Sequence, residues 1–170
     1  MKERLAVVAL GNPQSGKSTT WNRLFDIEDR GAAVKTGSYP RRLYLNPADW
    51  VEVFLVSGSP EERGVPLEDI LPEVAPGVIL CSVQYTEGSR TTFNYLLGAG
   101  YELYVVWLNP GFSDPGVCAD TISLVSDLLL KGSTVWQCDA RQDVSIRTQQ
   151  IRQFLYGWVT VRNKLQTDYF

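Results

Sequence analysis

Residues 5–18 read Leu5-Ala6-Val7-Val8-Ala9-Leu10-Gly11-Asn12-Pro13-Gln14-Ser15-Gly16-Lys17-Ser18. An uninterrupted apolar run is followed by the spacing G-x-x-x-x-G-K-[ST], that of a phosphate-binding loop. The run predicts a strand buried on both faces. Gly11 and Gly16 let the backbone turn tightly and approach a ligand closely. The loop amides then form a nest for phosphate oxygens. Lys17 supplies a compact positive charge for the β- and γ-phosphates, and Ser18 offers a hydroxyl to Mg²⁺. A helix predicted over Thr19–Phe25 points its positive end at the same phosphates. The expected ligand-binding residues here are Gly11, Asn12, Pro13, Gln14, Ser15, Gly16, Lys17, Ser18 and Thr19.

Composition narrows the setting. A length of 170 residues, 44% of them hydrophobic, suits one domain with a sizeable core. A net charge of −3 gives no expectation of nucleic acid or an anionic membrane as partner. Cys81, Cys118 and Cys138 are odd in number and lack C-x-x-C spacing, which fits a reducing, cytoplasmic setting better than a disulfide or zinc framework. The chain has no histidine, so imidazole catalysis and histidine-ligated metals are excluded. The apolar run is too short for a membrane span or a signal-peptide core, and neither end carries a lipidation motif.

Outward from the loop, strand and helix patterns alternate, as in an α/β layered fold. Asp26–Gly37 reads as a loop. Arg41–Leu45 and Trp50–Val56 read as strands joined by the turn Asn46-Pro47-Ala48-Asp49, too short to join anything but antiparallel partners. Gly58–Pro76 reads as a long mobile segment with one helical turn near Leu67–Leu71. Strands are expected over Val78–Val83, Leu103–Leu108 and Thr134–Cys138. Helices are expected over Glu87–Leu97, Asp120–Leu130 (Ile122, Val125 and Leu129 inward) and Val144–Leu165 (Ile151, Phe154, Leu155, Trp158 and Val161 inward).

This order, six strands and about five helices with one antiparallel edge strand, resembles the G domain of Ras-like small GTPases. The stretch Gly11-Asn12-Pro13 through Gly16-Lys17-Ser18-Thr19, with Asn22-Arg23-Leu24, is similar to that of bacterial Era/TrmE-type GTPases. The resemblance implies a three-layer P-loop NTPase fold with a mostly parallel sheet, binding GTP or GDP, with ATP left open, together with Mg²⁺. It places the switch threonine at Thr36, a second Mg²⁺ contact beside Ser18. The Mg²⁺-side aspartate of D-x-x-G falls on Ser57 and its glycine on Pro60, so the acid is missing; Glu61 lies nearby as a water-positioning candidate. The guanine-reading N-K-x-D falls on Asn109-Pro110-Gly111-Phe112, with Asp114 two residues on and Phe112 able to stack on a base. The last motif falls on Cys138-Asp139-Ala140-Arg141, where Ala140 and Arg141 would meet the base.

The function expected is that of a purine nucleoside triphosphate-binding switch or scaffold with slow or absent hydrolysis, the catalytic residues being Lys17, Thr36 and Glu61. The alternative is an inactive pseudo-GTPase that serves as a protein-interaction module. A small-molecule P-loop kinase ranks third, because residues 110–132 contain no arginine for a lid. A protein partner is expected to dock on the switch segments.

Overall fold

A computed structural model describes residues 1–25, 36–37 and 39–169. Strand β1 (Arg4–Gly11) lies inside a mixed, mostly parallel sheet and pairs in parallel with β4 (Val78–Gln84) and β5 (Tyr101–Leu108). Leu5 to Leu10 are wholly buried, as a strand covered on both faces must be. The sheet order is β2-β3-β4-β1-β5-β6, where β2 is Arg41–Tyr44, β3 Asp49–Val56 and β6 Thr134–Cys138. Only β2 on this path is antiparallel, hairpinned to β3. The hairpin turn is built as its residues dictate: the Asn46 side-chain oxygen accepts from the Ala48 and Asp49 amides.

Side chains alternate across β1 into two cores. Leu5, Val7 and Ala9 pack with Trp21 and Leu24 of α1 (Lys17–Leu24) and with Ile151, Leu155 and Trp158 of α6 (Val144–Val161). Ala6, Val8 and Leu10 pack with Phe93 and Leu96 of α4 (Arg90–Gly98), and with Leu124, Val125 and Leu128 of α5 (Leu124–Leu130). The result is helix, sheet, helix, a three-layer α/β arrangement. Trp21 is fully buried, and its indole N–H donates to Ser82 Oγ on β4 at 2.8 Å, so both polar groups of this contact are satisfied.

Several elements differ from the sequence expectation. Among the described residues there are six α-helices rather than about five, and a seventh strand joins the sheet. Segment 58–76 contains two single-turn helices, α2 (Pro60–Arg63) and α3 (Leu67–Ile70), with Leu67 buried in the second core. Helix α5 starts at Leu124, not Asp120, because Asp120 caps it instead: its carboxylate accepts from the Val125 and Ser126 amides, from Ser126 Oγ and from the Tyr85 hydroxyl. The helix is thereby rotated so that Leu128 faces the core and Leu129 is exposed. Helix α6 stops at Val161, since Asn163 takes a left-handed φ of 56°, leaving Val161 exposed. The chain then returns as β7 (Gln166–Thr167) along β3. The predicted loop Asp26–Gly37 lies outside the described residues except for Thr36 and Gly37.

The connections place a crevice at the carboxyl edge of the sheet. β1 leads into α1 on one face, whereas its neighbours β4 and β5 lead to α4 and α5 on the other. Where adjacent parallel strands send their connections to opposite faces, their carboxyl ends diverge and leave room for a ligand.

Candidate functional site

The Gly11–Ser18 loop fills that position, between the end of β1 and the start of α1. Gly11 must be glycine, because a Cβ there would meet Ser15 Oγ at 2.3 Å. Gly16 has a φ of 103° and forms the N-cap of α1 without a side-chain cap. The N-cap residue itself therefore offers the first-turn amides of α1 no side-chain acceptor, which suits an anion.

Lys17 is 6% exposed, and its ammonium donates to the carbonyls of Gly11 (3.2 Å) and Asn12 (2.9 Å). Glu62 of α2 lies 3.6 Å from Lys17 Nζ. Burial draws the Lys17 pKa below the ordinary lysine value, and Glu62 opposes that shift without cancelling it. The lysine faces a cleft of about 610 Å³, walled at one end by Ser57 and Glu62 and along its floor by Gln14 to Thr19. Its other walls are Phe112, Ala140, Arg141, Gln142, Val144 and Arg147, which follow β5 and β6 on the opposite side of β1. The structure thus gathers Gln14, Ser15, Gly16, Lys17, Ser18, Thr19, Ala140 and Arg141 around one opening. Pro13 is exposed on the loop.

Other expected site residues are engaged elsewhere. Asn109 is buried, and its side chain both donates to the Cys118 carbonyl (2.8 Å) and accepts from the Cys118 amide (2.7 Å), bracing loop 109–118. Asp114 accepts from the Asn12 side chain and the Gly111 amide. The Ala140 amide donates to the Pro110 carbonyl at 2.9 Å. Arg141 pairs with Asp139 at 3.2 Å. Thr36 Oγ1 accepts from the Ser57 amide at 2.9 Å and from the Arg63 guanidinium, so it is tied to the end of β3. Glu61 turns toward α4, where Thr92 donates to it at 3.3 Å. Strand β3, which leads into Ser57, is separated from β1 by β4.

Sequence reasoning passed over Gln142, Val144 and Arg147. Arg147 carried a readable signal: it stands in the helical stripe Val144, Arg147, Ile151, Leu155, Trp158, where the other members are apolar. Among the described residues, no group of three or more histidine, cysteine, aspartate or glutamate side chains forms a metal cage, and no helix is long and apolar enough to cross a membrane. No protein-family model matches the chain, and no curated protein matches it.

Proposed function

We propose that this chain binds a purine nucleoside triphosphate in the cleft above the Gly11–Ser18 loop, as a P-loop protein of the Ras-like GTPase kind. In this reading it works as a regulatory switch or scaffold in the cytoplasm, with slow or absent hydrolysis. The observation that carries the reading is Lys17, a buried ammonium held by two loop carbonyls at the uncapped start of α1 and facing an open cleft. A cation and a row of amides converging on one cleft match polyphosphate chemistry.

At the base end, Phe112 offers a ring face while Asn109, Asp114 and the Ala140 amide are already bonded within the protein. Stacking therefore outweighs edge reading, and GTP leads ATP only by the resemblance. Mg²⁺ fits the donor set in the way it commonly binds, through one carboxylate, a hydroxyl, substrate phosphates and water. Ser18 and Glu62 would hold it, and it would neutralise charge on the phosphates. Hydrolysis needs in addition a positioned water; the neutral Ser57 and the turned-away Glu61 support a slow rate. The same two features favour the second reading, a nucleotide-binding fold used for protein interaction, in which a partner docks on segment 58–76.

Calorimetric titration with GTP and ATP, each with and without Mg²⁺, tests the proposal. Micromolar binding of either is expected; no binding of either leaves only the interaction module. Glu62→Gln removes the acidic neighbour of Lys17. It is expected to tighten Mg²⁺-free triphosphate binding about threefold to tenfold, since the half-exposed pair no longer has to part. It should also shrink the affinity gain brought by Mg²⁺. An unchanged gain removes Glu62 from the metal site.

A further inference from the structure

Arg147 is 3% exposed, yet among the described residues it makes no ion pair. Its guanidinium reaches from α6 to the first turn of α1, where Nε donates to Thr20 Oγ1 at 2.8 Å and Nη2 to the Gly16 carbonyl at 3.4 Å. Only Cys138 and Asp143 act on it favourably among the described residues, and the Asp143 carboxylate already caps α6 by accepting from the Ser145 amide. A buried cation beside the positive end of a helix is an arrangement that both desolvation and the helix dipole disfavour. Burial accordingly pulls the Arg147 pKa below the usual arginine value. Arg147 nevertheless lines the cleft, as do Gly16 and Ala140 beside it. An anion between Gly16 and Ala140 would pair the buried guanidinium.

Position along the cleft says which anion. Ser57 follows β3 on one side of β1, with Glu62 beside Lys17, whereas Phe112 follows β5 and Ala140 follows β6 on the other side. A Cβ on Gly16 would lie 3.2 Å from Arg147 Nη2 and 3.8 Å from Ala140 Cβ, so Arg147 stands on the side of Gly16 that faces Ala140. With the terminal phosphates at Lys17, the group reaching Gly16 on that side is the phosphate next to the sugar. Resting on the nucleotide reading above, we infer that Arg147 is a second cation of the site, binding the α-phosphate of a nucleoside 5′-phosphate. Lys17 and Arg147 then divide the polyphosphate between them, one taking its end and the other its root.

The division is tested by titrating wild type, Arg147→Gln, Arg147→Lys and Lys17→Ala with GTP and GMP, and with ATP and AMP. Arg147→Gln is expected to weaken mono- and triphosphate by the same factor, about tenfold to hundredfold, the usual worth of a charge-assisted hydrogen bond. Arg147→Lys recovers part of that loss, and Lys17→Ala weakens the triphosphate far more than the monophosphate. Thr20→Val, which removes the acceptor that aims the guanidinium, weakens both phosphates in parallel; it carries the test if Arg147→Gln fails to fold. Wild-type affinity for the monophosphate in a folded Arg147→Gln, or in Thr20→Val, overturns the inference. A lowered melting temperature with unchanged affinity does so too, since it assigns Arg147 a packing role. A wild type that binds no nucleotide overturns the nucleotide reading itself, and this inference falls with it.

Discussion

Lys17→Ala is expected to lower triphosphate affinity at least about a hundredfold, to below detection at ordinary calorimetric concentrations. Each charge-assisted hydrogen bond to phosphate contributes about 1.5–3 kcal/mol, and one ammonium can make two of them. The fold itself has little to lose. The ammonium is bound by two main-chain carbonyls and one half-exposed carboxylate, and both Lys17 and Glu62 border an open cleft that water can enter. The variant should therefore keep its circular dichroism spectrum and melt close to wild type. Affinity within tenfold of wild type in the folded variant would falsify the P-loop assignment.

Gly111→Val is the second large effect, on stability and binding together. A Cβ on Gly111 would lie 2.7 Å from Ser15 Cβ and 3.1 Å from Ser15 Cα, with Asp114 Oδ2 at 2.8 Å. Ser15 cannot retreat, because its side chain already fills the space beside Gly11. Nor can loop 109–118 swing away without loss, since the Phe112 amide donates to the Ser15 carbonyl and Asp114 holds Asn12. We expect a cost of about 2–4 kcal/mol, or a melting temperature lower by roughly 5–15 °C. Nucleotide affinity should fall with it as the phosphate loop is pushed out of shape. Gly116→Ala is the control: a Cβ there meets nothing within 4 Å, and its melting temperature should stay at the wild-type value.

The loop, its strand and the hairpin were legible because each rests on local chemistry. An apolar run, two glycines and an Asn-Pro turn mean much the same wherever they occur. Element ends were less legible, because Asp120 acts as a cap only through Tyr85 and Ser126, and Asn163 turns the chain so that β7 can reach β3. The order of strands was not legible. That β4 rather than β3 lies beside β1 depends on how all the helices cover the sheet. The far wall of the cleft was legible only in part, for a related reason. Asn109 and Asp114 look available as letters in a motif, but their hydrogen bonds are taken by Cys118, Gly111 and Asn12. Arg147 was visible as a charge in an apolar stripe, and its meaning depended on Gly16 and Thr20, remote in sequence.

The placement of β1 bears on how the chain is made. Its apolar segment 5–10 leaves the ribosome well before both of its strand partners, which lie downstream at 78–84 and 101–108. Synthesis proceeds at about 5–20 residues per second, so this stretch spends several seconds as an unpaired, sticky strand. The cleft waits longer still, until α6 emerges to close over Gly16. Ligand can therefore secure the fold only after α6 has docked.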